Sequence, residues 1–335
     1  MDEKIRLAHG NGGKLMGDLL DQLILKILGG KTGTVQGDDA AILPVPSTEL
    51  VFTTDSYTVS PLFFPGGDIG KLAVCGTVND LAVMGARPAY LSCSLIIEEG
   101  FLLSDLKKIL TSMARTARRT GLAITTGDTK VVEKNQADGL FINTAGIGFL
   151  TGRMLRQPVS PGDQVLINGS IGDHGIAIMA RRNDLSAGSG LASDCAPLFE
   201  LIDSVADGFS GAIKFLRDAT RGGVVSVLHE VIKGGRLGVR LEEDQLPFKK
   251  QVLAVCDLLG IDPLYAANEG KAIMIVAPDQ APAILQKLKA HPLGRKAAVI
   301  GEITDRYPGQ VYLTTSLGGS RVLPEAIDIQ LPRIC

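Results

Sequence analysis

Residues 68–97 read DIGKLAVCGTVNDLAVMGARPAYLSCSLII, a helix that turns into a strand. Asp68 can cap the helix, the apolar run carries it to Met84, and Gly85 and Pro88 stop it. Ala89–Ile97 is then rich in residues that favour extended backbone. Asp80 lies inside the apolar helix, where a carboxylate is unfavourable unless something partners it. Outward from here the alternation continues. Leu50–Thr54 reads as a strand with Asp55 at its end, and Ser104 can cap a helix that ends at Gly121. Leu122–Thr126 is a strand leading into a glycine turn, Gly127-Asp128-Thr129-Lys130, and Leu140–Phe149 closes the first half. Alternating strands and helices predict an α/β or α+β layered fold.

Before this block, Gly10-Asn11-Gly12-Gly13-Lys14 opens an amphipathic helix to Leu28. Such a loop is either a phosphate cradle or a plain N-terminal loop. After it, the turn cluster Val159–Asp163 sets a domain boundary near residue 152. A second glycine-rich loop, Gly169–Gly175, enters another helix; its His174 is a phosphate or partner contact, or a loop hydrogen bond. Residues 183–196 read as a mobile surface loop. Arg217-Asp218-Ala219-Thr220-Arg221-Gly222-Gly223 is a phosphate and metal station or an internal salt bridge. Glu269, before the strand Ala272–Ala277, is a positioned base or a turn residue.

A chain of 335 residues suggests two domains, here 1–151 and 152–323, followed by a tail of residues 324–335. The net charge of −2 offers no polybasic surface for nucleic acid or anionic lipid. No apolar run approaches the ~20 residues that span a bilayer. The start, Met1–Arg6, lacks a signal-peptide core, and five scattered cysteines suit a reducing cytoplasm better than a disulfide framework. Cys75, Cys93 and Cys256 read as packing residues. Cys335 ends the sequence after Leu331-Pro332-Arg333-Ile334. Twelve residues from Pro324 span at most roughly 40 Å, so the thiol is either a frayed end or a carrier that reaches a site on this chain or a partner.

Asp39, Asp55, Asp80 and Asp128 fall at strand ends, on a glycine turn and on the apolar helix. Singly each reads first as a cap or turn residue; as a set they suggest hard ligands for Mg²⁺ and phosphate, because Asp80 has no capping role.

Together these motifs carry a resemblance over essentially the whole chain. Gly37-Asp38-Asp39-Ala40, Thr54-Asp55-Ser56, Val78-Asn79-Asp80-Leu81, Thr126-Gly127-Asp128-Thr129 and Arg217–Gly223 resemble the ATP-binding superfamily of aminoimidazole ribonucleotide synthetase, selenophosphate synthetase and thiamine-phosphate kinase. Gly127–Val132, Asn268-Glu269-Gly270-Lys271 and Pro332-Arg333-Ile334-Cys335 narrow this to the HypE family of hydrogenase maturation factors. The resemblance implies an aminoimidazole-ribonucleotide-synthetase-like fold: an N-terminal mixed sheet or half-barrel with helices, a C-terminal α/β sandwich and a flexible tail. It implies a carbamoyl group on Cys335 that is dehydrated to S-cyanate with ATP, supplying cyanide to the iron of a [NiFe]-hydrogenase. Asp39, Asp55, Asp80 and Asp218 would hold Mg²⁺ against the ATP phosphates, with Asn79 and Asp128 beside them and Asn11, Gly12 and Gly13 covering the phosphates. Lys130 would stabilise charge on the carbamoyl oxygen and Glu269 would take protons from the nitrogen. The implied partners are a HypF-like carbamoyltransferase, HypC- and HypD-like iron scaffolds, and a second copy of the chain. Another ATP-dependent small-molecule phosphotransferase of the superfamily and a non-catalytic thiol carrier are the alternatives.

Overall fold

The computed structural model describes residues 4–10, 14–28, 45–46, 49–152, 155–185 and 190–325. Lys14–Leu19 (α1) and Leu25–Leu28 (α2) are joined by a π-helical stretch, Leu20–Ile24, which buries Ile24. Leu50–Tyr57 (β1) is followed by two short strands, Phe63–Phe64 (β2) and Gly67–Asp68 (β3), and then by the helix Ile69–Val83 (α3). The Asp68 carboxylate accepts from the backbone N–H of Gly70 at 2.9 Å and of Lys71 at 3.1 Å, so the expected cap is present. Ala86–Glu98 (β4), Leu103–Arg119 (α4), Ala123–Val132 (β5) and Leu140–Leu150 (β6) complete the first layer pair. Ser104 is not the cap of α4; the helix begins at Leu103, with Leu102 at the cap position.

The four strands lie in the order β1-β6-β4-β5, with β4 and β5 parallel and the other pairs antiparallel. Paired residues share a face and neighbours alternate. One row runs Asp55, Thr144, Cys93, Gly127 and faces α3, where Thr77 and Thr144 hydroxyls lie 2.6 Å apart. The next row runs Ser56, Asn143, Ser94, Asp128 on the opposite face, away from α3, which no α-helix among the described residues covers. Leu50, Phe52 and Ile96 are exposed on that same face, Phe52 by 63 %.

Two expectations change here. Asp55 lies within β1, and Gly127, Asp128 and Lys130 lie within β5, not on a turn. Pairing with β6 and with β4 holds these polar residues extended despite their weak strand preference. Gly127 is required because β4 comes so close: a Cβ there would sit 2.2 Å from the Cys93 carbonyl oxygen.

The second half contains Gln164–Ile167 (β7), Asp173–Arg182 (α5), Phe199–Phe209 (α6), Ile213–Asp218 (β8), Gly223–Val231 (α7), Gly238–Glu242 (β9), Lys250–Leu259 (α8), Ala272–Val276 (β10), Ala281–Ala290 (α9), Ala298–Thr304 (β11), Val311–Thr314 (β12) and Ser320–Leu323 (β13). Its seven strands run β13-β12-β9-β11-β7-β10-β8, with only β12 and β9 parallel. Both faces are covered. Val165, Ile167, Ile273 and Ile275 join the core under α7, while Leu166, Met274 and Val276 pack toward α6 and α9. A strand buried on both faces has no polar side to show, which is why β10 reads Ala-Ile-Met-Ile-Val without alternation.

Sequence reading overlooked α6, although Leu201, Ile202, Val205 and Ala206 carry its helical spacing and are all buried. It also took 183–196 for a surface loop. Residues 190–198 instead run between the two halves, with Leu191, Cys195 and Leu198 buried. The Ser193 N–H donates to the Pro65 carbonyl at 2.8 Å, and the Ala196 N–H donates to the Glu269 carbonyl at 3.3 Å. Leu198 donates its N–H to Asn79 Oδ1 at 2.7 Å.

Candidate active site

A cavity of about 260 Å³ lies where β1, α3, β8 and α7 meet. Asp55 enters from β1, Asp80 from α3 and Asp218 from the end of β8, while Glu269 comes from the segment leading into β10. Thr53 donates its hydroxyl to Asp80 Oδ2 at 2.8 Å, which answers the question of what partners a carboxylate on an apolar helix. Arg217, Arg221 and Glu230 line the same space. Arg221 reaches Asp55 at 3.2 Å and Arg217 lies 3.7 Å from Glu230, so neither ion pair involves Asp218.

The cavity holds more negative charge than its arginines offset. Burial, together with the neighbouring charge of Asp55, raises the Asp80 carboxyl above its usual range. Burial and the charge of Asp80 push Asp218 to about 7. Glu269 is raised well above the ordinary glutamate value, first by burial and then by the neighbouring Cys195, Asp218, Asp194 and Asp55. Its Oε1 is buried with no hydrogen-bond partner among the described residues. Such a group waits for a proton, a cation or a ligand.

The Asp218 shift has a measurable sign. The folded carboxyl titrates at about 7 and the unfolded one near 3.8, so between these values the folded chain holds a proton the unfolded chain has released. This group's contribution is therefore favourable below about pH 4 and is lost as the pH climbs through 7. In cation-free buffer, Asp218→Asn should raise the melting temperature by more at about pH 8 than at about pH 5. Equal gains at the two pH values would contradict the crowding described here.

The donor set suits Mg²⁺ of the kind shared with phosphate. Among the described residues no three Asp, Glu, His or Cys side chains converge tightly enough to form a ready-made centre. Mg²⁺ usually keeps waters and takes one or two carboxylates plus substrate phosphate oxygens. Asp55, Asp80 and Asp218 offer that kind of wall, and the mutual crowding that raises Asp80 and Asp218 is what a bound cation would relieve.

The remaining candidates are distributed as follows. Asn79 is buried and does not line the cavity. Its Nδ2 donates to the carbonyls of Ala196 and Glu269, each at 3.2 Å, and its Oδ1 accepts from Leu198. Asp128 and Lys130 pair with each other at 3.2 Å on the helix-free face, on β5, whereas Asp55 is on β1 at the opposite edge of the sheet. Three strand spacings of ~4.8 Å separate the two edges. Within one chain the structure does not bring Lys130 to Glu269. His174 is buried, with Nδ1 2.7 Å from the Ser193 hydroxyl, so the hydrogen-bond alternative holds. Cys75, Cys93, Cys195 and Cys256 are buried and form no disulfide among the described residues. Asn11, Gly12, Gly13, Asp39 and Cys335 lie outside the described residues. No helix among the described residues is long and apolar enough to cross a membrane.

Known proteins share this architecture. The AIR synthase related protein N-terminal domain family matches residues 37–150, and the corresponding C-terminal domain family matches residues 160–314. Carbamoyl dehydratase HypE of Rhizobium leguminosarum bv. viciae is 47 % identical over 334 residues, covering 99 % of this chain and 95 % of that protein. The crystal structure of a hydrogenase maturation protein HypE in complex with ATP superposes with a TM-score of 0.90 at 41 % identity, over 98 % of this chain and 99 % of the other. The HypE chain of a HypE–HypF complex superposes with a TM-score of 0.79 at 45 % identity, over 93 % and 99 % of the two chains. Identity at this level over nearly the full length, on a two-domain frame that gathers Asp55, Asp80, Asp218 and Glu269 round one cavity, places the chain in the HypE family of hydrogenase maturation proteins.

Proposed function

We propose that the chain uses ATP to dehydrate a carbamoyl group carried on its own Cys335, giving a thiocyanate that supplies cyanide to a hydrogenase iron. The observation that carries this reading is Glu269, buried with a free Oε1 on a carboxylate-lined cavity. Dehydrating an amide needs a better leaving group than oxide and a base for two N–H protons. The carbamoyl oxygen attacks the γ-phosphorus of ATP and ADP leaves. The nitrogen then loses both protons while the C–O bond breaks, inorganic phosphate departs and the C≡N bond forms. Glu269 is the carboxylate placed to accept those protons, with an Oε1 that no described hydrogen-bond donor occupies. Mg²⁺ held by Asp39, Asp55, Asp80 and Asp218 would neutralise charge on the phosphates. A relative solved with bound ATP supports the nucleotide, and one solved with HypF supports a HypF-like partner, which in this reading is the carbamoyl donor. HypC- and HypD-like scaffolds would receive the product, in the cytoplasm.

Lys130 enters this scheme through a second copy. The helix-free face exposes Leu50, Phe52 and Ile96, and the sheet ends in two edges, β1 and β5. A homodimer covering that face can set β5 of one chain beside β1 of the other, next to Asp55. Lys130→Ala and Glu269→Gln proteins, each inactive alone, should then recover about a quarter of wild-type turnover when mixed and re-dimerised, because each mixed dimer contains one intact site. A mixture as inactive as its components would place both residues of a site on one chain.

The direct test is intact and peptide mass analysis after incubation with the carbamoyltransferase, carbamoyl phosphate and ATP. Carbamoylation of Cys335 followed by ATP-dependent loss of water supports the reading. An unmodified Cys335 beside an active partner enzyme overturns it in favour of a small-molecule phosphate acceptor.

A further inference from the structure

We propose that Asp194, in the segment between the two halves, is the positioning residue for Glu269; the proposal rests on the reading of Glu269 as the base. A free, buried carboxylate oxygen is useful only if its backbone is fixed, and the described strands do not include Glu269. Its backbone is held by three other groups. Asp194 Oδ1 accepts the Glu269 N–H at 3.1 Å, and Oδ2 accepts the Gly270 N–H at 3.2 Å. On the other side, the Glu269 carbonyl accepts from Ala196 N–H at 3.3 Å and from Asn79 Nδ2 at 3.2 Å. Asp194 Oδ2 also pairs with Lys271 at 2.9 Å, and the two side chains are only 3 % and 10 % exposed.

The charge matters as well as the shape. Burial works against an ionised Asp194, but the Lys271 ammonium more than offsets it, and the carboxyl lies below its usual range. An ionised acceptor makes N–H bonds roughly twice as strong as a neutral one does. The fit leaves no slack: a Cβ on Gly270 would lie 2.0 Å from the Asp194 carbonyl oxygen, and one on Gly169 would lie 2.8 Å from Lys271 Cε. Asp194, Gly270, Lys271 and Gly169 thus form one close-packed support behind the reacting carboxylate. Asp194 does not line the cavity; it bears on Glu269 by holding its backbone and by its nearby charge.

The test uses full-length protein carbamoylated on Cys335 by its partner enzyme, mixed with ATP, and follows loss of water by mass. Asp194→Asn keeps the size but loses the charge and one acceptor. It should slow dehydration by about tenfold to 10²-fold, the scale of an ångström-sized misplacement, with the KM for ATP within about twofold. In a Glu269→Gln background the same change should cost less than about threefold, because the group it positions is already gone. A wild-type rate for Asp194→Asn, or an equal loss in both backgrounds, overturns the proposal. If Asp194→Asn does not fold, Asp194→Glu retains the charge but displaces it by a methylene, and a wild-type rate for that variant also overturns it. Absence of water loss in the unaltered protein would overturn the dehydratase reading itself, a result distinct from either.

Discussion

Cys335→Ala leaves no carbamoyl and no cyano mass on the chain, under conditions in which the unaltered protein acquires first one and then the other. The expectation follows from chemistry that no neighbouring residue can replace. The carbamoyl group needs a nucleophile that forms a bond to carbon and later releases cyanide, and a thiolate does both. The other four cysteines cannot stand in. Cys75, Cys93, Cys195 and Cys256 are all buried, and burial alone pushes the Cys93 thiol up to about 12. The variant should retain its fold and its affinity for ATP, since Asp55, Asp80 and Asp218 belong to the body. Intact mass reads the outcome directly. A carbamoyl adduct on Cys335→Ala would mean that another nucleophile carries the group.

Glu269→Gln has the second largest expected effect and a different signature. Loading of Cys335 should proceed, and the S-carbamoyl form should accumulate, because only the later step needs a base. The loss should be ~10²–10⁴-fold in the rate of dehydration. Glutamine keeps the backbone contacts to Asp194, Ala196 and Asn79 and removes a buried carboxyl crowded by Asp218. The melting temperature should therefore not fall, and a slow variant cannot be explained by unfolding. Dehydration at the wild-type rate would remove Glu269 from the role of base.

Some local signals are legible in the sequence, Asp68 among them, whereas the start of α4 is misplaced and the whole of α6 is missed, and signals that depend on pairing are hidden. Asp68 caps α3 through its own side chain and two neighbouring N–H groups, so the sequence around it suffices. By contrast, Gly127-Asp128-Thr129-Lys130 looks like a turn because its residues are poor strand formers, and only the parallel partner β4 makes it extended. Asn79 and Asp80 are adjacent on one helix, so their side chains diverge by about 100°. One reaches Thr53 at the cavity and the other ties the backbone of Glu269 and Ala196. Composition marks only Asp80 as unusual in an apolar helix, and direction decides what each of the two residues serves. Asp194 had no recognisable spacing, because its partners are backbone groups 75 and 76 residues further along the chain. Family resemblance supplied the set Asp55, Asp80, Asp218 and Glu269; it could not show that Lys130 lies on the other face of the sheet.

Residues 190–198 also bear on modularity. The segment belongs in sequence to the second half, yet it hydrogen-bonds to Pro65 and Asn79 of the first half as well as to Glu269 and Gly270 of the second. Ala82 and Val83 of α3 lie in the same core as Leu201, Ile202 and Val205 of α6. Splitting the gene near residue 152 would strand half of these bonds and bare that core. The two halves are therefore not interchangeable parts: a chimera joining this N-terminal half to the C-terminal half of a distant superfamily member would need the 190–198 segment and α6 to travel with α3.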